Sequence, residues 1–297
     1  MRLSLTQLLE GIRMKVSNVN VKTAVVTGCS SGIGLATAGL LKSRGWRVIA
    51  SARKPEDLAM LNGRGFETVE IDMANEDSVV RAAASIKSML SEGIGVVVNN
   101  AGFGQVGAIE DLSRDMMSYQ FQVNVIGMQH LTNLLLPVMR AQGFGRIINI
   151  SSVLGRITMP YLGIYAASKY AMESISDALR VELHGSGIGV IIIEPGPIKT
   201  AFGENAAGHA GKTLRPVSTA HFAFYQRELE RRAKQTEKPE FMALPPEAVA
   251  EKILHAAVSS RPRRRYQVTV HAYAGALMAR FAPPALIDWI MARRIGR

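Results

Sequence analysis

Short, nearly continuous runs of valine and isoleucine alternate along this chain with longer stretches in which apolar residues recur every three or four positions. The runs near 21–27, 46–52, 66–71, 94–99, 145–151, 188–194 and 266–270 have strand length and little polar alternation, as strands covered on both faces do. Several stretches between them stop at glycine. Ser43-Arg44-Gly45, Ser91-Glu92-Gly93, Ala141-Gln142-Gly143 and Gly185-Ser186-Gly187 each precede a strand-like run, the punctuation of helix C-caps. The alternation predicts a parallel sheet of about seven strands with helices on both faces. Right-handed crossovers then give a doubly wound α/β domain, with its ligand crevice outside the carboxyl ends of the strands. Pro137, inside the helical stretch 116–140, is expected to kink it by removing a backbone donor.

Domain organisation follows from the same pattern. Residues 1–20 form an N-terminal extension in which Leu5, Leu8, Leu9 and Ile12 are spaced as one face of an amphipathic helix, while Gln7 and Glu10 interrupt any apolar run of signal-peptide type. Met14 offers an alternative start. Residues 21–270 form the single α/β domain, including an insertion at 201–244. Within that insertion Phe222, Tyr225, Leu229 and Ala233 make an apolar stripe on an expected helix over 219–234. Residues 271–297 form a basic, amphipathic extension split by Pro283-Pro284.

The most specific chemistry lies at the end of the first strand, in Thr27-Gly28-Cys29-Ser30-Ser31-Gly32-Ile33-Gly34. Gly28 permits a sharp turn, Gly32 leaves room for a pyrophosphate, Gly34 lets the helix approach the sheet, and the free N–H groups of the helix start can hold an anion. The G-x-x-x-G-x-G spacing departs from the usual dinucleotide fingerprint, and such a turn is by itself only a modest signal. Four further features fall in order behind it: Asn99-Asn100-Ala101-Gly102 after a strand, Asn124 in Phe121-Gln122-Val123-Asn124, Ser151-Ser152 after a strand, and Tyr165-Ala166-Ala167-Ser168-Lys169 opening a helix. Pro195-Gly196-Pro197-Ile198-Lys199-Thr200 closes the set. Over residues 20–200 these motifs, jointly and in this order, resemble the short-chain dehydrogenase/reductase family, whose fold is of Rossmann type. The Cys-Ser-Ser-Gly-Ile-Gly loop, Ala-Gly-Phe-Gly, Glu-Pro-Gly-Pro-Ile and the long C-terminal extension are most similar to bacterial aldehyde reductases and to retinol and hydroxysteroid dehydrogenases.

Tyr165 and Lys169 are four residues apart and share a helix face. A phenol exchanges protons poorly at neutral pH, and an adjacent ammonium is expected to lower its pKa by favouring the phenolate. Tyr165 could then serve as general acid toward a carbonyl or general base toward an alcohol. The resemblance implies that Ser152, thirteen residues earlier, bonds the substrate oxygen, with Ser151 as the alternative. It also implies that Lys169 holds the nicotinamide ribose and that Asn124 anchors a water leading to solvent. It assigns dinucleotide contacts to Gly28, Ser30, Ser31, Gly32, Ile33 and Gly34, to Asn100, Ala101 and Gly102, to Pro195, Gly196, Ile198 and Thr200, and to Asp72 at the adenine. NAD-selective members carry a carboxylate after the second strand. Here Ala52-Arg53-Lys54 follows, and a guanidinium can clamp a ribose phosphate, so NADP(H) is the expected cofactor. The alternative is that Arg53 and Lys54 merely face solvent.

Composition narrows the remaining classes. The 297 residues carry a net charge of +11, and nine lysines and arginines against three acids lie beyond residue 244. Arg261-Pro262-Arg263-Arg264-Arg265 has no accompanying nucleic-acid-binding motif, so nucleic acid is not an expected partner. No metal-ligating cluster is evident. Cys29 is the only cysteine, which excludes an intrachain disulfide and fits a reducing cytoplasm, where it reads as loop filling rather than as a reactive thiol. No run reaches the roughly 20 apolar residues of a spanning helix. The expected partners are a small apolar aldehyde, ketone or alcohol, a second copy in a homo-oligomer and, through the C-terminal extension, a membrane surface. That extension could equally cover the site, or dock on the protein's own core or on another subunit. A catalytically silent dinucleotide-binding regulator is the alternative function.

Overall fold

The computed structural model describes residues 16–200, 202, 219–227 and 242–294. The strands are β1 (Thr23–Val26), β2 (Arg47–Ala52), β3 (Glu67–Glu70), β4 (Val96–Asn99), β5 (Gly145–Ile150), β6 (Ile188–Glu194) and β7 (Arg265–Gln267). They form one sheet in the order β3-β2-β1-β4-β5-β6-β7, parallel throughout. The order reverses between β1 and β4, which places the crevice of a doubly wound sheet above the carboxyl ends of those two strands. The last strand stops earlier than its apolar run suggests, because Thr269 caps the next helix by accepting from the Ala272 N–H at 3.2 Å.

The near-continuous Val/Ile runs form strands because both sheet faces are covered. Val25, Ile49, Val97, Ile147 and Val190 point into one core with side chains of α3 (Glu76–Met89), α5 (Met128–Gln142) and α6 (Gly163–Glu182). Their neighbours Val26, Val48, Val98, Ile148 and Ile191 point into the other, against α1 (Gly32–Ser43), α2 (Pro55–Gly63) and α7 (Glu247–Val258). Strand side chains alternate between faces, so each run feeds both cores. Arg146 is fully buried in β5, where it donates to the carbonyls of Gly145 and Ser17 at 2.9 and 2.7 Å. Burial pushes its guanidinium down to about 10.

The stretch expected as one helix around 116–140 is instead α4 (Arg114–Phe121), a π-helical segment Gln122–Gly127 and α5. Helical structure continues through Pro137, and the departure from α-geometry occurs before it. At the end of that segment Gly127 packs so closely on the Met73 carbonyl that a Cβ would collide with it. Single π-turns inside helices recur at functional sites, and this one carries Asn124.

The expected N-terminal helix, together with Leu229, Ala233 and Ile295, lies outside the described residues. Residues 222–227 are helical, with Tyr225 buried and Phe222 exposed. The C-terminal extension forms α8 (Val270–Phe281) and α9 (Pro284–Arg294), separated near Pro283 as expected. Among the described residues no helix is long and apolar enough to cross a membrane, and no cluster of His, Cys, Asp or Glu could hold a metal ion.

Candidate active site

The glycine loop turns directly from β1 into α1. Gly28 and Gly32 have φ of +69° and +56°, the left-handed region that favours glycine. A Cβ on Gly34 would strike the Gly28 carbonyl, so α1 approaches the strand only because side chains are missing. Ser31, the exposed N-cap residue, makes no side-chain cap, which leaves the first N–H groups of α1 available to an anion. Asn100 braces the turn: its amide donates to the carbonyls of Thr27 and Gly28 at 2.9 and 3.0 Å. The Ala101 N–H donates to the Thr27 hydroxyl at 3.0 Å. A Cβ on Gly102 would come within 3.0 Å of Asn124 Oδ1. From the opposite side Thr200 closes on the loop, its methyl 3.0 Å from where a Gly32 Cβ would stand. Ile33 and Ile198 pack against the core, and Ser30 is half-buried. A Cβ on Gly196 would collide with the Thr269 hydroxyl, while the Pro195 carbonyl accepts from the Val153 N–H at 2.8 Å. These contacts form a cradle whose bare backbone fits a pyrophosphate.

Arg53 and Lys54 are both exposed just beyond β2. Arg53 Nη1 donates to the Tyr119 hydroxyl at 2.9 Å, and Tyr119 packs on Phe103 with ring centroids 5.3 Å apart. Lys54 Nζ lies 3.7 Å from the Glu56 carboxylate, an exposed pair that leaves its charge accessible. Asp72 lies beyond the end of β3, where Oδ1 accepts from the Ala74 N–H at 3.0 Å and so fixes a turn.

Ser152, Tyr165 and Lys169 come together beyond the end of β5. Ser152 follows β5, and its hydroxyl accepts from the Leu154 N–H at 3.1 Å and lies beside the Tyr165 phenol. The Ser151 hydroxyl is instead buried beside Glu173, both side chains lying against Gly155. Lys169, one turn along α6 from Tyr165, donates Nζ to the Ile150 carbonyl at 2.7 Å. Burial pulls its ammonium down to about 8, against the opposing charge of Glu173. The same burial pushes Tyr165 up to about 12, with the neighbouring Ser152 hydroxyl acting the other way. The expected lowering of the phenol by Lys169 is therefore overturned in the protein without coenzyme. Loss of water around the phenolate dominates, and the ammonium sits 5.8 Å from the ring centroid, committed to a carbonyl. Asn124 is fully buried; its side chain accepts from the Phe103 N–H at 3.1 Å and donates to Ser168 Oγ at 3.1 Å.

Apolar residues wall the site. Val153, Met159 and Leu162 pack around Leu154, Tyr165 and Ala166, and Phe202 covers Tyr165 with ring centroids 5.5 Å apart. The described part of the insertion is latched to residues 108–111. Tyr225 donates to Asp111 Oδ2 at 2.5 Å and accepts from the Ala108 N–H at 2.8 Å, and Thr219 donates to Asp111 Oδ1 at 2.7 Å. Tyr225 is thus a buried anchor, whereas Phe222 of the same stripe is exposed. Tyr119 and Phe202 were not singled out by sequence motifs. Glu173 could have been, since it stands four residues beyond Lys169 on the same helix face.

A seven-stranded parallel sheet with a glycine cradle at its switch point, and a half-buried serine grouped with a buried tyrosine and lysine beside it, defines a nucleotide-binding oxidoreductase. Residues 22–210 match the short chain dehydrogenase family model, and the chain belongs to that family. It is 42% identical to the uncharacterized oxidoreductase YbbO of Escherichia coli strain K12, over 91% of this chain and 94% of the relative. It is 36% identical to an NADPH-dependent 3-dehydrocapnine reductase of Ornithobacterium rhinotracheale over 84% and 88%. It is also 32% identical to human retinol dehydrogenase 16 over 94% and 90%. A solved short-chain dehydrogenase from Streptomyces avermitilis superimposes with a TM-score of 0.72 at 27% identity, over 94% and 99% of the two chains.

Proposed function

We propose that this protein is an NADP(H)-dependent oxidoreductase that interconverts an apolar aldehyde or ketone and its alcohol. The carrying observation is the placement of the Ser152 hydroxyl beside the buried Tyr165 phenol, with Lys169 one helical turn away, which lets one substrate oxygen meet both hydroxyls. Ser152 orients that oxygen. Tyr165, which keeps its proton throughout the neutral range, delivers it to the carbonyl oxygen. Lys169 binds the nicotinamide ribose and, with the Asn124 segment, forms the route by which the phenol is reprotonated. The cradle of Gly28, Ser30, Ser31, Gly32, Ile33 and Gly34, with Thr200 opposite, holds the pyrophosphate. Asn100, Ala101, Gly102, Pro195, Gly196 and Ile198 shape its walls, and Asp72 takes the adenine. When bound, the coenzyme supplies or accepts the hydride.

The preference for the phosphorylated coenzyme rests on Arg53, exposed after β2 with no carboxylate in the neighbouring positions Ala52 and Lys54. The name of the 3-dehydrocapnine reductase supports it. The apolar wall of Val153, Met159, Leu162 and Phe202 favours apolar substrates over sugars. Exposed Ile126, Tyr170 and Val181 favour assembly into a homo-oligomer, which light scattering reads directly. The test of the reading is a panel of aldehydes and ketones of graded chain length, followed by NADPH absorbance. Turnover increasing with apolar chain length is expected. Binding of NADPH with no turnover on any carbonyl or alcohol would instead establish a silent regulator.

A further inference from the structure

We propose that the outer faces of α8 and α9 dock the protein on an anionic lipid bilayer. On α8, Val270, Tyr273, Leu277 and Phe281 follow one another at spacings of three and four, so they form a single stripe along one face. All four are between 54% and 70% exposed. The opposite face is the packed one: Ala272 and Gly275 are buried, and a Cβ on Gly275 would press on Val153 and Ile157. The stripe is therefore not the core-facing side of a loosely docked helix. α9 repeats the arrangement, with Leu286 and Trp289 exposed and Met291 buried.

Charge selects the occupant. Arg280 flanks the stripe and lies 5.6 Å from the Phe281 ring centroid; Arg293 lies 3.8 Å over Trp289. These side chains pair a cation with an aromatic body at an apolar surface, the combination that suits a headgroup boundary. The acid of these two helices, Asp288, falls two residues from Leu286 and one from Trp289, off their shared face. A second copy would be a poorer occupant. In a two-fold contact the patch meets itself, which brings the positive charges of Arg280 and Arg293 to the same interface twice over, whereas anionic phosphates complement them. The surface is also near the site, since the inner face of α8 rests on Val153, next to Ser152. A ligand dissolved in the bilayer would thus reach the apolar wall without crossing bulk water.

The test is co-sedimentation of the full chain with phosphatidylcholine vesicles, with and without phosphatidylglycerol, at low and physiological salt. Binding is expected to the anionic vesicles, weakening as salt rises. The double variant Leu277→Glu/Phe281→Glu should bind roughly tenfold or more weakly. The pair Arg280→Gln/Arg293→Gln should lose the preference for the anionic lipid. Circular dichroism melting and NADPH binding equal to the parent show that the variants are folded. The proposal is overturned if the full chain does not sediment with anionic vesicles, or if the glutamate variant binds them as the parent does. It is also overturned if that variant changes only the oligomer size, which would assign the stripe to a subunit contact.

Discussion

Arg53 Nη1 lies 2.9 Å from the Tyr119 hydroxyl, which ties the exposed segment after β2 to α4. Hydrogen bonds to charged groups contribute about 1.5–3 kcal/mol each. Arg53→Ala is therefore expected to weaken NADPH by roughly ten- to a hundredfold while leaving NADH within a few-fold. Tyr119→Phe should have a smaller effect in the same direction. Equal losses with both coenzymes, measured by fluorescence titration, would remove Arg53 from the ribose phosphate. To reverse the preference the substitution should be Arg53→Asp. Ala52 is buried against the core, so a carboxylate there would be desolvated.

Tyr165→Phe removes a proton donor and leaves a ring of the same shape. Coenzyme binding should be retained and turnover should fall about 10²- to 10⁴-fold. A variant whose kcat stays within a few-fold of the parent would exclude the phenol from proton transfer.

The buried ammonium of Lys169 makes stability depend on pH. Its folded pKa of about 8 lies below the ordinary lysine value of 10.5, so between those values the unfolded chain binds the extra proton and stability rises with pH. Compared with Lys169→Met, the parent should gain at most about 3 kcal/mol of unfolding free energy across that window. Chemical denaturation at several pH values reads the difference. A parent-minus-variant curve flat from pH 8 to 10 would mean that Lys169 is not desolvated.

Most strands and their parallel, doubly wound arrangement were legible because a doubly covered sheet needs uninterrupted Val/Ile runs, and the glycine loop because only missing side chains allow its close approaches. The π-turn at 122–127 was not, since Gly127 at its end packs on Met73, more than fifty positions away, a pairing no local pattern shows. Tyr119 opposite Arg53 and Asp111 beneath Tyr225 were hidden for the same reason. The direction of the Tyr165 shift was misjudged because spacing shows that an ammonium is near but not how completely water is excluded.

Cys29 is buried in the glycine loop, donates its thiol to the Val26 carbonyl at 3.1 Å, and is pushed up to about 12 by burial. The thiolate is the reactive species, so disulfide reagents should leave the native protein unlabelled at pH 8 and label one thiol per chain in denaturant. Rapid native labelling would place the thiol at the surface.

The latch at Asp111 should hold the described part of the insertion against residues 108–111. Asp111→Ala removes the acceptor of both Tyr225 and Thr219. It is expected to raise amide exchange over 219–227 and to increase KM more than it lowers kcat, since Tyr225 and Thr219 touch none of the proposed proton-transfer groups. Unchanged exchange would show that packing around Tyr225 alone suffices.

The strand order also governs how the molecule comes into being. β1 is made first yet ends in the interior of the sheet, and its second neighbour, β4, is some seventy positions later in the chain. A nascent chain that has emerged only as far as β3 can zip β1 to β2 and β2 to β3, but one edge of β1 is then an open row of amides and carbonyls. Such an edge templates association with other chains. The interval between synthesis of β3 and of β4 is thus one in which an interior strand lies open, and polypeptides truncated before residue 96 should aggregate where the full chain does not.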